Sequence, residues 1–352
     1  MQPLAGLLVL DFSTLLPGPL AALMLAEAGA EVIKIERPGG EDMRRFPPLV
    51  DGESAAFAML NRGKQILTLD LKSDADRAKL KPLLARADIL IEQFRPGVMA
   101  RLGLGYDDVA RINPKLIYCS ISGYGQSGPR AQEAGHDINY ISAAGLLDLQ
   151  PGPIATPVLP PLLAADIGGG SFPATINILL ALRARDQSGQ GTFIDIAMTD
   201  MMFTFAWHAM ALGQVAGRYP KAGELLTTGA SPRYQLYPTS DGRIVACGAL
   251  EQKFWHVFTT TIGLSAEFVD DRRDPKATQE AVAKLIAART AEEWRPVFAK
   301  ADCCVTIVAP LEEAIRDPHF VERGLFAHQI HTASGQTMPA LPVPIDAQFR
   351  VK

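Results

Sequence analysis

The segment AADIGGGS, residues 164 to 171, sets Asp166 just ahead of Gly168, Gly169, Gly170 and Ser171. A carboxylate in that position fits two kinds of chemistry. Glycines enter left-handed backbone conformations freely, and successive amides so arranged form a nest that stabilises an oxyanion as it develops. Asp166 is then a base held beside a forming negative charge. The same residues fit a helix N-cap equally well, with Asp166 or Ser171 opening the apolar run FPATINILLALRAR.

His136 stands in AGHDINYISAAGLL, followed at once by Asp137 and then by Asn139 and Tyr140. An imidazole exchanges protons near neutral pH, which a capping aspartate cannot do. No histidine lies four residues away and the others are scattered, so zinc is a poor reading of this pair. Glu251 follows RIVACGAL and precedes a helix face carrying Phe254 and Trp255, where a glutamate ordinarily acts on the helix dipole. Arg37, Arg62, Lys64, Arg95 and Arg101 come just after strands or at helix starts, where open α/β sheets present ligands. Each alone reads as solvated surface; together they can hold a phosphorylated ligand.

The elements that must position these groups alternate. LLVLDF, a helix from about Pro19, EVIKIE, QILTLDL, a helix from Asp74, DILIEQF and LIYCSIS predict a parallel sheet with helices on its faces. The helical stretch AALMLAEAGA has an apolar stripe and closes at Ala-Gly. The loop after the first strand reads DFSTLLPGPLAA rather than GxGxxG, which argues against NAD, and its Pro-Gly-Pro is a rigid bend with Pro19 in a helix's first turn. PGPIATPVLPP, from Pro151 to Pro161, reads as an extended loop. SGQGTFIDIAM is a turn and a strand, and MMFTFAWHAMALGQVAG from Met201 is a buried helix too short to span a membrane. After a polar linker near 217 to 232, YQLYPTSDGRIVACGALEQKFWHVF reads as two strands joined at Ser-Asp-Gly and a helix opening near Glu251. AEEWRPVFAK is helical, and the segment from His319 onward is loop-rich.

The chain has 352 residues, 48% of them hydrophobic, enough for two domains around sizeable cores. Its net charge of −4 supplies no basic field for nucleic acid. The opening MQPLAGLLVLDFS has no signal-peptide pattern and the closing FRVK no peroxisomal or retention signal, so the expected location is the cytoplasm. Cys119, Cys247, Cys303 and Cys304 lack paired CxxC spacing and read as reduced thiols.

An ordered series of motifs resembles CoA-transferase family III over nearly the whole chain. It comprises LDFSTLLPGPLAALMLAEAGAEVIKIERP, NRGKQILTLDLK, FRPGVMARLGLGYDD, IYCSISGYGQSGPR, AGHDINY, ADIGGGS, GQGTFIDIAM and CGALEQKFW. Within the family the chain is most similar to the α-methylacyl-CoA racemase branch. Racemases combine the aspartate aligned with Asp166 with a histidine and a glutamate, here His136 and Glu251; in transferases that aspartate is the nucleophile. Many transferases carry an Asn-Asp pair near Glu251 and a glycine-rich tetrapeptide loop, neither of which is present, and oxalate-type transferases tend to have Gln-Ala where this chain has Leu16-Pro17. Thr227, in LLTTGASPRYQLY, departs from the racemase pattern, which often has aspartate there.

The resemblance implies an α/β fold: a Rossmann-like large domain with a parallel sheet, plus a smaller α+β domain, in an interlocked homodimer. It implies a large CoA-binding domain over 1–200, a linker helix over 201–224, a small domain over 225–315 and a return segment over 316–352. His136 and Asp166 would come from one chain and Glu251 from its partner. The implied substrate is an acyl-CoA of fatty acid metabolism, with no cofactor beyond the coenzyme A of the substrate, no metal, no nucleic acid and no membrane. Gly168, Gly169 and Gly170 would face the thioester oxygen. Arg37, Lys64 and Arg101 would grip the nucleotide end, with Asn61, Asp137 and Tyr140 as lesser contacts.

Overall fold

Six short aliphatic runs pair into one parallel sheet in the computed structural model, which describes residues 1–50, 52–152, 157–331 and 335–351. They are β1 (Leu8–Asp11), β2 (Glu31–Glu36), β3 (Gln65–Thr68), β4 (Ile89–Glu92), β5 (Ile117–Ser122) and β6 (Thr192–Ala197), in the order 3-2-1-4-5-6. β1 is central, with Val9 opposite Val32 on one side and Ile89 on the other. Both of its faces are covered, so all four of its residues are buried, Asp11 included. The strand order turns back between β1 and β4, and the crevice beyond the strand C-termini at such a reversal is where α/β sheets bind ligands.

One face of the sheet packs Leu10, Ile33, Leu90 and Tyr118 against Leu80 and Leu84 of α3 (Asp74–Arg86). On the other face lies α1 (Pro17–Glu27), whose every residue is buried. The expected one-sided stripe is therefore not what forms. Leu20, Leu23 and Met24 pack with Phe57 and Leu60 of α2 (Ala55–Asn61), and Val343 of the closing segment joins the same cluster. A helix apolar on all sides is one covered on all sides.

The chain divides into two compact units: Met1–Ala144, Pro160–Phe205 and Val321–Lys352 in one, Gly145–Leu159 and Ala206–Phe320 in the other. These borders differ from 200, 224 and 315, and residues 145–159 belong to the second unit. Of the proline-rich loop, residues 153–156 lie outside the described residues. In the second unit three antiparallel strands, Gln235–Pro238, Ile244–Cys247 and Val305–Ile307, carry α7 (Gln252–Ile262), α8 (Pro275–Ile286) and α9 (Ala291–Ala301). Trp255, Phe258 and Trp294 fill its core, and both indoles donate to backbone carbonyls, of Val269 and Ile286.

The apolar run from Met201 is two helices rather than one, α6 (Met198–Phe205) and Trp207–Ala216, and it is not wholly buried. Phe203, Phe205, Trp207 and Val215 are exposed.

Ala164–Ser171 forms a π-helical segment that runs directly into α5 (Phe172–Ser188). Hydrogen bonds in such a segment run from each amide to the carbonyl five residues back. A methyl group on Gly168 would stand 2.8 Å from the Phe205 ring, on Gly169 2.6 Å from the Met198 carbonyl oxygen, and on Gly170 2.9 Å from Pro17 Cβ. The three glycines thus let the segment lie directly against α6 and the head of α1. Gly169→Ala forces backbone apart and is expected to cost about 2 kcal/mol in urea denaturation, whereas Gly168→Ala, which meets only a movable ring, costs less. Equal losses would contradict this packing account.

Candidate active site

α4 (Asp137–Ala143) starts beside the sheet's C-terminal edge, with His136 as its extended N-cap residue. The His136 amide donates to Asn139 Oδ1 at 3.0 Å, and its carbonyl accepts from the Asn139 amide at 2.8 Å. This reciprocal pair fixes the backbone that carries the imidazole. Asp137, next in sequence, turns inward and is buried. Its Oδ1 accepts the amides of Ala165 at 2.7 Å and Asp166 at 3.0 Å. One carboxylate therefore ties the start of α4 to the start of the π-helical segment.

That tie brings His136 and Asp166 to one cavity of about 460 Å3, lined also by Tyr140, Arg95, Gln93 and Thr14. Burial pushes the Asp166 carboxyl up to about 6; the charge of Asp137 adds to the rise, and His136 opposes it. The Tyr140 hydroxyl donates to the Gly135 carbonyl, and burial, helped by the charge of Asp166, raises it to about 12. The site thus holds a half-buried acid poised near neutrality, an exposed imidazole, and a phenol that stays protonated.

A second cavity, of about 540 Å3, lies across the strand reversal and is lined by Arg37, Leu69, Lys72, Phe94 and Arg101. Thr14, Leu15 and Phe94 line both cavities. Arg37 is exposed and reaches Asp42 at 2.9 Å, while the side chains of Lys72 and Arg101 make no ion pair among the described residues.

Several expected site residues sit elsewhere. The Lys64 ammonium is fully buried, 2.9 Å from Asp11 Oδ2 and bonded to the Pro19 carbonyl and Asn61 Oδ1. Asn61 is buried as well, its Nδ2 donating to the Phe57 carbonyl. Neither lines the two cavities at the reversal; both border a larger third one of about 580 Å3, where Arg62 is neutralised by Glu27 at 2.8 Å. Asp137 is an internal anchor rather than a ligand contact. The glycine nest does not form: Gly168, Gly169 and Gly170 lie in the π-helical segment, outside the left-handed region. The capping alternative fails too, because Ser171 is itself helical and makes no side-chain cap; its hydroxyl donates instead to the Pro17 carbonyl at 2.8 Å. Glu251 lies in the second unit as the exposed N-cap residue of α7, its carboxylate unbonded among the described residues.

The cation Lys72 escaped the sequence reading, as did the uncharged lining residues Thr14, Leu15, Leu69, Gln93 and Phe94. A signal was present, since each lies in the loop after a parallel strand, where such sheets place ligand contacts. Uncharged side chains simply drew less notice than Arg95 beside them.

The sequence matches the description CoA-transferase family III over residues 4–351. The chain belongs to this family. It is 36% identical to alpha-methylacyl-CoA racemase of Mus musculus over 349 residues, covering 97% of this chain and 86% of the mouse protein. It is also 33% identical to acetyl-CoA:oxalate CoA-transferase of Acetobacter aceti over 353 residues, covering 97% and 89% of the two chains. Among solved structures, a CAIB/BAIF family protein from Brucella suis superposes with a TM-score of 0.82 at 32% identity, over 98% of this chain and 92% of that one. Family III membership and an α/β fold with a parallel sheet follow; racemases and transferases both stand among the relatives.

Because the Asp137 charge helps to hold the Asp166 carboxyl up, Asp137→Asn, which keeps an acceptor oxygen, moves the Asp166 midpoint below 6. Carbon-13 NMR titration of the aspartate carboxyls reads this directly. An unmoved or raised midpoint would contradict the assigned electrostatics.

Proposed function

We infer that this family III enzyme inverts the α-carbon of 2-methylacyl-CoA thioesters by 1,1-proton transfer through an enolate. The observation that carries this reading is the meeting of His136 and Asp166 in one cavity, with the carboxyl pushed up to about 6. A thioester acidifies its α-carbon only modestly, so inversion needs a base on one face, an acid on the other and stabilisation of the enolate between them. An imidazole facing a carboxyl raised to about 6 suits that exchange in either direction. The glycine amides are consumed in the π-helical segment, so the enolate oxygen is assigned to the amides of Asp137 and Ile138 at the head of α4; those of Asn139 and Tyr140 already bond the His136 carbonyl. Proton transfer of this kind calls for no metal or redox cofactor. Glu251 belongs to the other unit, and its part in holding the imidazole rests on the resemblance alone.

The nucleotide end of the substrate goes to the second cavity, where Arg37 and Arg101 are joined by Lys72 in place of the buried Lys64. Contacts to this remote part orient the reacting carbon. Incubation with a 2-methylacyl-CoA in deuterated water is expected to place deuterium at the α-carbon without any acceptor acid. His136→Ala and Asp166→Asn each lower that exchange by about 100-fold or more. The relatives that are CoA-transferases support a second reading, transfer of CoA between carboxylic acids through covalent Asp166; label passing only between acid and thioester, with no deuterium uptake, would establish it instead.

The working form is a homodimer in the cytoplasm in this reading. What supports the dimer is the outer face of α5, where Phe172, Ile176 and Leu180 recur every fourth residue and the last two are 56% and 62% exposed. The helix through Ala164–Ser188 is long and apolar enough to cross a membrane, but 44% of its apolar 18-residue window is buried, which fits a protein interface better. Ile176→Asp with Leu180→Asp is expected to give a folded monomer in analytical ultracentrifugation. A double variant sedimenting as a dimer would remove this face from the interface.

A further inference from the structure

The loop that follows β1 is held from beneath by four buried charges. The side chains of Asp11, Lys34 and Lys64 are fully buried and that of Glu41 is 3% exposed. Asp11 accepts the amide of Ser13 at 2.9 Å and also its hydroxyl, while Lys64 stands 2.9 Å from the other carboxylate oxygen. Lys34 donates to the Ser13 carbonyl at 2.7 Å and stands 2.9 Å from Glu41 Oε1. Glu41 Oε2 in turn accepts the Leu15 amide at 2.6 Å. Leu15 has a φ of +62°, a left-handed conformation that a branched side chain rarely takes. From the neighbouring strand end, Gln93 Oε1 accepts the Gly18 amide at 2.9 Å, fixing where the loop enters α1.

Buried ion pairs do little for stability on balance, because taking the charges out of water offsets their attraction. Here two acids and two lysines cancel, and apart from the Ser13 hydroxyl bonded to Asp11, the hydrogen bonds they make to this loop fall on the backbone of Ser13 and Leu15. The same loop supplies Thr14 and Leu15 to both cavities, and Phe94 is the other residue the two share. A ligand with its phosphates beside Arg37 and Arg101 and its reacting carbon beside His136 must pass these three side chains.

We propose that the pairs Asp11–Lys64 and Lys34–Glu41 are positioning residues that clamp the loop at Ser13 and Leu15, so that Thr14, Leu15 and Phe94 form a fixed neck for the flexible linker between phosphates and thioester. The proposal rests on the CoA-thioester reading above. The neck measures the distance between the two ends of the substrate. It touches neither the proton-transfer groups nor the phosphates.

The test variant is Lys34→Met with Glu41→Gln, which removes one buried pair while keeping neutrality and volume. It is expected to fold with an unchanged or raised melting temperature and to raise the KM for a 2-methylacyl-CoA by about tenfold. Turnover of the corresponding N-acetylcysteamine thioester, which has no linker to thread, falls far less. A merely structural role would lower both substrates alike, and that result, or a wild-type KM for the CoA substrate, overturns the proposal. Amide hydrogen exchange in the wild-type protein supplies an arm independent of the variant: the Ser13 and Leu15 amides should be protected like those of β1, and exchange at the rate of an open loop refutes the clamp. Calorimetry of wild-type protein with the CoA thioester separates the two levels. Absence of binding there ends the CoA reading and the neck with it, whereas binding with an unaltered variant KM ends the neck alone.

Discussion

A single oxygen, Oδ1 of Asp137, sets the geometry on which the candidate chemistry depends. It accepts the amides of Ala165 and Asp166, the first turn of a π-helical segment whose opening amides have no helical carbonyl to bond. The residue before it is His136. Through one buried carboxylate, therefore, the backbone carrying the imidazole and the backbone carrying the acid are held together across 28 to 29 residues of sequence. The charge that makes these hydrogen bonds also keeps a proton on Asp166 to higher pH. Placement and electrostatics come from the same atom.

The π-helical segment depends on a second constraint, which is space. Its wider turn lies against the Met198 carbonyl on one side and Pro17 on the other, closer than any side chain would permit. Glycine is needed at 168 to 170 for the absence of a Cβ rather than for freedom of φ. The Ser171 hydroxyl then bonds the segment to the head of α1. Asp166 reaches the cavity because the residues after it pack so tightly that the chain has one course to follow.

Much of this was legible in the residues, and the part that was not shares a physical cause. Alternation of β-branched runs with helical ones showed the parallel sheet and placed its six strands within a few residues. Residue chemistry and the family motifs singled out His136 and Asp166, which the fold brings to one cavity. What sequence shows poorly is which partner a polar group finds. Asp137 looked like a ligand contact and is an anchor; Lys64 looked like a phosphate contact and is buried against Asp11. The glycines looked like an anion nest because glycine has two uses, and only the neighbours Met198 and Pro17 decide between them. The left-handed backbone of Leu15 gave no signal, since the carboxylate that holds its amide, Glu41, lies 26 positions away.

The same distinction between paired and unpaired charge explains how a chain of net charge −4 can offer a site to a polyanionic carrier. Lys34, Lys64 and Arg62 each face an acid within 3 Å, so they add nothing to the field outside. Lys72, Arg95 and Arg101 have no such partner among the described residues, and all three lie at the C-terminal edge of the sheet. Counting cations along the sequence weights the two groups equally. The fold separates them: the lysines beneath the first loop are bound to its backbone and to acids, and Lys72, Arg95 and Arg101 around the crevice have no acidic partner among the described residues. A field built this way is local by construction, strong where the strands end and absent elsewhere, which is what recognition of one small anion requires and what binding along nucleic acid does not.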